Sequence, residues 1–383
     1  MSTCNVLFVL GAGASMPYGY PSGEQLVKNI IHAIENDKIY FPIDICRGNT
    51  NTFKLADYKN KILKLGPIEN LNEIPPHSVY GSIDLPHVAP KSNNYFIGVE
   101  TPLEQIVELS DLKNALKKHP PLSIDEFLRD YPSHNEAGKC MIIYSLLNCE
   151  NTNLFNLENE ANWYKYLMSD IMSCYYENAG KLPNISIITF NYDLSLDYYL
   201  REQIISKPQL SSSEKEKLLL HLKIHHVYGT LNEEVENNYG KHLGFENNTF
   251  KNFSRFDKAL SSVANIYTLH EQLSPQLNFS DLLKQHSKIV FLGYGFHPIN
   301  NKKIGFPLSK DPLEEQNFFP GKTIYYLNYD GKDLDLDNEF LRIEKECVGH
   351  GMGGMSKLPT IRKSHAKCIL DAYSRHFKPG KFF

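Results

Sequence analysis

Residues 5–26 read NVLFVLGAGASMPYGYPSGEQL. Val6 to Leu10 is an unbroken apolar run that ends in a glycine turn, the pattern of a strand buried on both faces of a parallel sheet. Ser22 and Gln25 stand at capping-box spacing, and Leu26, Val27, Ile30, Ile31 and Ile34 then recur at the helical period. Strand, glycine turn and helix in that order offer backbone N–H groups and a helix dipole to a phosphate. Gly11 and Gly13 carry no Cβ, so the backbone there can approach a pyrophosphate closely. The fingerprint G-x-G-x-x-G would need a glycine where Met16 stands, and no Walker lysine follows, which disfavours both of those nucleotide sites. The plain alternative is a glycine-rich turn that only joins a strand to a helix.

Further along, three apolar runs repeat the theme. Ile185–Phe190 (ISIITF) runs into Asn191-Tyr192-Asp193, and Leu194, Leu196, Tyr198 and Leu200 continue as a helical pattern. KIVFL (288–292) runs into Gly293-Tyr294-Gly295-Phe296, and KTIYYL (322–327) into Asn328. In an open α/β sheet, ligands bind outside the carboxyl ends of the strands, where these polar and glycine-rich residues fall. The expected fold is therefore α/β, a Rossmann-like open parallel sheet with helices on both faces. KIHHVYGTL (223–231) predicts another strand, with Ile224, His226 and Tyr228 on one face and His225 and Val227 on the other. Residues 206–217 are polar, a solvated loop or a helix start.

Residues 36–180 differ in character. Gly, Pro and Asn are frequent between Pro42 and Pro102, and helical periodicity returns at Leu103–Leu116, Ile124–Leu128, Met141–Leu146 and Trp163–Tyr175, the last closed by Gly180. The expected organisation is one domain: a core of residues 1–35 and 181–345, a mostly helical insertion of residues 36–180, and a tail of residues 346–383. GHGMGG (349–354) reads as a linker, and a last helix is expected over 366–377.

Composition narrows the class. A formal net charge of −4 leaves no electrostatic footprint for nucleic acid. No apolar run is long enough for a membrane span, so a soluble, cytoplasmic chain is expected. The seven cysteines never occur as C-x-x-C, which argues against a disulfide framework or a four-cysteine zinc site; no metal is expected.

Taken together, the junctions resemble the sirtuin superfamily, in particular the zinc-less sirtuin-like domains of bacterial antiphage defence systems. GAGAS (11–15), followed by Gly19-Tyr20-Pro21-Ser22-Gly23, resembles the family's GAGxS and the G-x-P element after it. Thr189-Phe190-Asn191-Tyr192-Asp193 resembles T-x-N-x-D, Gly293-Tyr294-Gly295-Phe296 the later glycine-rich turn, and Asn328 the Asn beside the adenosine ribose. The family's catalytic histidine usually stands directly before a glycine; here Tyr228 does, and His226 lies two residues earlier.

The resemblance implies NAD as substrate, no zinc, and hydrolysis of the nicotinamide–ribose bond to nicotinamide and ADP-ribose. It implies cofactor-binding roles for Gly11, Ala12, Gly13, Ser15, Pro21, Thr189, Asn191, Asp193, Gly293, Tyr294, Gly295 and Asn328. Asn191 would orient the ribose or the attacking water, and His226 would be the general base, suited by a near-neutral pKa. Alternatives are a non-catalytic NAD or ADP-ribose sensor and, further off, a protein deacylase. An NAD hydrolase needs an off state, which implies a homo-oligomer or a separately encoded partner such as a HerA-type ATPase. Residues 36–180, with aromatics such as Trp163, Tyr164 and Tyr175, are expected to supply much of that contact or, alternatively, to lid the cofactor cleft.

Overall fold

The computed structural model describes residues 5–42, 52–56, 58, 98–156, 162–182, 184–222, 224–231, 239, 248–269, 271, 279–295, 297–306, 322–328 and 360–365. In chain order these form strand β1 (Asn5–Leu10), helix α1 (Gly23–Asn36), strands β2 (Lys38–Pro42) and β3 (Gly98–Pro102), and helices α2 (Val107–Lys118), α3 (Ile124–Asp130), α4 (Asn135–Leu147) and α5 (Trp163–Glu177). Strand β4 (Asn184–Thr189), helices α6 (Ser195–Ile205) and α7 (Ser212–His221), strand β5 (Ile224–His226) and helices α8 (Asn248–Ser261) and α9 (Phe279–Gln285) follow. Strand β6 (Lys288–Leu292), helix α10 (Pro298–Ile304) and strands β7 (Thr323–Asn328) and β8 (Thr360–His365) complete the set.

The chain divides into two compact units, residues 1–22, 151–237 and 271–383 in one and residues 23–150 and 238–270 in the other. The first holds a six-stranded sheet in the order β5-β4-β1-β6-β7-β8, with every neighbouring pair parallel. Counted along the chain within this sheet, the order is 3-2-1-4-5-6, that of the doubly wound dinucleotide-binding fold. The fold is thus α/β, an open parallel sheet flanked by helices. Val6, Leu7, Phe8 and Val9 are 0% exposed, because β1 lies at the middle of the sheet and is covered on both faces. Each such burial stabilises by about 1.5–3 kcal/mol.

Local chemistry sets the ends of these elements. The Asn162 side chain accepts from Lys165 N (3.3 Å) to start α5, and Gly180, at φ +77°, donates its N–H to Tyr175 O (2.9 Å) beyond the helix end. The polar stretch 206–217 becomes the start of α7 through a capping box between Ser211 and Glu214. Lys322 enters β7 with its ammonium donating to Leu283 O (2.8 Å), Lys284 O (2.8 Å) and His286 O (2.7 Å), so a buried cation satisfies the carbonyls at the end of α9.

Two expectations need correction here. The strand predicted over 223–231 stops at His226, because Val227 and Tyr228 turn and Gly229 sits at φ +80°. Alternation therefore does not extend to Tyr228. Trp163, Tyr164 and Tyr175 are 0%, 1% and 5% exposed, so they are core of the sheet unit and offer no surface to a second chain.

The second unit is mostly helical, with β2 and β3 as an antiparallel pair. Its core joins Ile30 and Ile34 of α1, Leu109, Leu112 and Leu116 of α2, and the wholly buried run 139–147 of α4. Tyr144 donates to Asp37 Oδ2 (2.7 Å), and the Arg255 guanidinium lies 5.1 Å from the Tyr144 ring centre. The unit boundaries thus fall at Ser22, Asn151, Asn237 and Glu271, α5 belonging with the sheet and α1 with the helices. The linker expected at 349–354 and the helix expected over 366–377 lie outside the described residues. Among the described residues no helix is long and apolar enough to cross a membrane.

Candidate functional site

The order of strands along the sheet reverses between β1 and β6, so the carboxyl ends of those two strands and of neighbouring β4 frame the crevice where such sheets bind ligands. Three loops leave these ends: residues 11–22 after β1, residues 190–194 after β4, and residues 293–295 after β6.

Glycine packs the first and third loops together. A Cβ on Gly11 would stand 2.4 Å from Gly293 O, and one on Gly293, at φ +60°, would stand 2.4 Å from Ala14 N. Gly11 N donates to Leu292 O (3.1 Å) and Gly13 N to Gly293 O (3.2 Å). The two glycines thus weld turn to turn, and their N–H groups are committed to the protein. The next elements are single 3-10 turns, Ala12–Ala14 and Met16–Tyr18, and the first α-helix begins only at Gly23. The helix thus begins beside Ser22, where the capping pattern put it, and Gly13 is followed first by a tight turn whose exposed residue is Ala12. Gly295 is exposed, with no atom within 4 Å of where its Cβ would be, so the protein's own packing does not require glycine there.

Asn191 ties the second loop to the first. Its Nδ2 donates to Gly11 O (3.0 Å) and to Ser15 Oγ (2.9 Å), while its backbone N donates to Thr189 Oγ1 (3.1 Å). A carbonyl only accepts, so the amide's orientation is fixed, and Oδ1 is the atom left to meet a hydroxyl or a water.

Behind it, Ser15 and the Asp193 carboxyl are both buried. Asp193 Oδ1 accepts from Ser195 N (3.1 Å) and from Ser195 Oγ, and Tyr164 OH stands 2.8 Å from Ser195 Oγ. An ionised Asp193 only accepts, so Ser195 Oγ donates to it and Tyr164 OH donates to Ser195 Oγ. Burial raises the Asp193 carboxyl above its ordinary pKa, against the hydrogen bonds from Ser195. Helix α5 anchors the same turn: Trp163 Nε1 donates to Ala14 O (2.8 Å), Tyr164 N to Tyr18 OH (2.9 Å), and the Tyr18 and Tyr164 rings stack at 3.8 Å.

His226 and His225 point apart, as strand alternation requires. His225 packs edge-on to Phe279. His226 places Nδ1 2.9 Å from Asn191 O and Nε2 3.1 Å from Asp197 Oδ2. Both partners are acceptors, so the ring makes both bonds only as the imidazolium. Burial works against that charge, but the Asp197 carboxylate, the bond to it and the Asn191 carbonyl outweigh burial and raise the ring's pKa above the ordinary histidine value. Held this way, the ring bridges Asn191 O and Asp197 and so also positions Asn191.

Of the expected ligand-facing residues, the structure brings Gly11, Gly13, Ser15, Thr189, Asn191, Asp193 and Gly293 together. Thr189, Asp193 and Ser15 are buried behind the crevice, supporting rather than lining it. Tyr294 is buried too, its OH donating to Asn301 Oδ1 (2.8 Å) and its ring beside Phe190 and Phe291. Ala12, Asn191 and Gly295 keep exposed surface. Pro21 is half-buried on the first loop, and Asn328 ends β7 on the far side of β6.

Tyr228 donates to Asn300 Oδ1, with Lys303 4.4 Å from its ring centre, so it joins α10 rather than His226. Trp163, Tyr164, Ser195 and Asp197 were not singled out as site residues; the serine after T-x-N-x-D was the one available signal. Among the described residues, no group of three or more His, Cys, Asp or Glu side chains is close enough to hold a metal ion. No protein-family model matches the chain, and no curated protein matches it.

Proposed function

We propose that the chain is a sirtuin-like NAD hydrolase that cleaves the bond between nicotinamide and ribose. The observation that carries this reading is Asn191, locked by Gly11 O and Ser15 Oγ at the carboxyl ends of strands ordered 3-2-1-4-5-6. Uncommitted polar groups suit the substrate: Asn191 Oδ1 for a ribose hydroxyl or the attacking water, and the exposed Ala12 turn with open Gly295 for the diphosphate. In the reaction the C1′–N bond breaks with its electron pair passing to the cationic nicotinamide ring. Water oxygen bonds to C1′, and its proton is released to solvent. The leaving group needs no acid, and a cationic oxocarbenium-like centre needs no strong base, so placement by Asn191 supplies the protein's main contribution. The resemblance to defence systems further supports an NAD-depleting effector, held off by homo-oligomerisation or by a partner such as a HerA-type ATPase.

The test is mass analysis of products after incubating the purified chain with NAD. Nicotinamide and ADP-ribose are expected in equal amounts, and Asn191→Ala, checked for folding by thermal unfolding, abolishes both. A folded Asn191→Ala protein with an unaltered rate sinks the assignment. One observation favours a second reading, a non-catalytic NAD or ADP-ribose sensor: His226 is bonded at both nitrogens and Tyr228 stands before Gly229. Calorimetric binding of NAD without product would select it.

A further inference from the structure

The sheet unit has a second cleft, of about 550 Å³, between α5 and α6. None of the residues discussed above as facing a ligand lines it. Its floor is apolar and adaptable, made by buried Met168, Met172 and Tyr199. Phe155 and Tyr176 add aromatic walls, Tyr176 being 50% exposed. Lys165 and Lys207 also line it, and no carboxylate does among the described residues. Neither lysine has an ion-pair partner among the described residues. The volume, the apolar floor and a few polar groups are the make-up of a small-molecule site, and the charge on its described lining residues is positive.

We infer that this cleft binds a small organic anion carried on a flat ring system, such as a nucleoside monophosphate or an aromatic carboxylate, with the ring on Met168, Met172 and Tyr199 and the anion between Lys165 and Lys207. The site matters beyond itself because its wall is α5. The same helix holds the crevice turn through Trp163 Nε1 and Ala14 O, and reaches Asp193 through Tyr164 and Ser195. A ligand that braces α5 therefore acts on the turn from behind. The inference concerns binding in the cleft and does not depend on what the crevice cleaves.

The experiment uses the full chain and two fluorescent probes with the same flat body, anionic 8-anilinonaphthalene-1-sulfonate and uncharged N-phenyl-1-naphthylamine. Saturable binding of the sulfonate is expected, at least tenfold tighter than the uncharged probe. The Lys165→Glu/Lys207→Glu protein, with its unfolding midpoint unchanged, loses at least tenfold in sulfonate affinity, and Lys165→Gln and Lys207→Gln each lose part of it. Competition by adenosine monophosphate or by 1-naphthoate tells the nucleotide source from the carboxylate source. Equal sulfonate binding by wild type and double variant, equal affinity for both probes, or displacement by neither competitor overturns the inference.

Discussion

The weld between the turns after β1 and β6 makes a quantitative prediction. In Gly11→Ala, the new methyl stands 2.4 Å from Gly293 O and 2.8 Å from Tyr294 Cα, where ordinary contact is 3.4–4 Å. The obstacles are backbone atoms, which no rotamer change can clear. The third loop must retreat by about an ångström, which stretches or breaks the bonds Gly11 N to Leu292 O and Gly13 N to Gly293 O. Two such bonds are worth ~0.5–1.5 kcal/mol each, and overpacking adds ~1–3 kcal/mol, so a loss of about 2–6 kcal/mol is expected. At roughly 2–4 °C per kcal/mol, this lowers the unfolding midpoint by about 4–24 °C. Gly295→Ala meets nothing within 4 Å, and its stability should stay within about 0.5 kcal/mol of the parent. Under the proposed function it weakens NAD binding instead. Denaturant unfolding of the two variants side by side is the assay. A Gly11→Ala protein as stable as Gly295→Ala would refute the reasoning.

Asn191→Ala removes two side-chain donors as well as the proposed catalytic amide, so a stability loss of about 1–3 kcal/mol should accompany the loss of nicotinamide release, read by denaturation and mass analysis. His226 has a folded pKa above its ordinary value, so its contribution is full below about pH 6.5 and is lost as pH rises through the folded value. The stability gap between wild type and His226→Gln should shrink on raising the pH, and a gap that widens refutes the imidazolium assignment. Trp163→Phe keeps most of the buried area but loses the bond to Ala14 O; about 1 kcal/mol of stability and a slower reaction are expected by denaturation and rate assays, and unchanged values in both would contradict the anchoring role of α5.

The sheet was legible because strands buried on both faces are written as continuous apolar runs: VLFVL, ISIIT and KIVFL each announce themselves. β8 was not, since TIRKSH carries no such run. The length of β5 depended on Gly229 taking a left-handed conformation, which a strand pattern cannot reveal. At the site, residue types were readable but their partners were not. Asn191 meets Ser15 across 176 positions, and Trp163 meets Ala14 across 149. Helical periodicity marked Trp163 as buried without saying against what. The role of His226 turned on Asp197, a helix residue whose facing direction only the fold defines.

The position of β1 also shapes how the chain comes to be folded. It precedes the other five strands of the sheet in the chain, yet it lies in the middle of the sheet, and its two neighbours begin at Asn184 and Lys288. At ~5–20 residues per second, its second edge waits on the order of 15–60 s for β6 to be made. During that interval NVLFVL is an uncharged, β-prone hexamer with an open edge, the kind of segment that pairs with copies of itself. Fast expression at high temperature should therefore drive the nascent chain into aggregates, and slowed translation or a chaperone that shields apolar segments should raise the soluble yield.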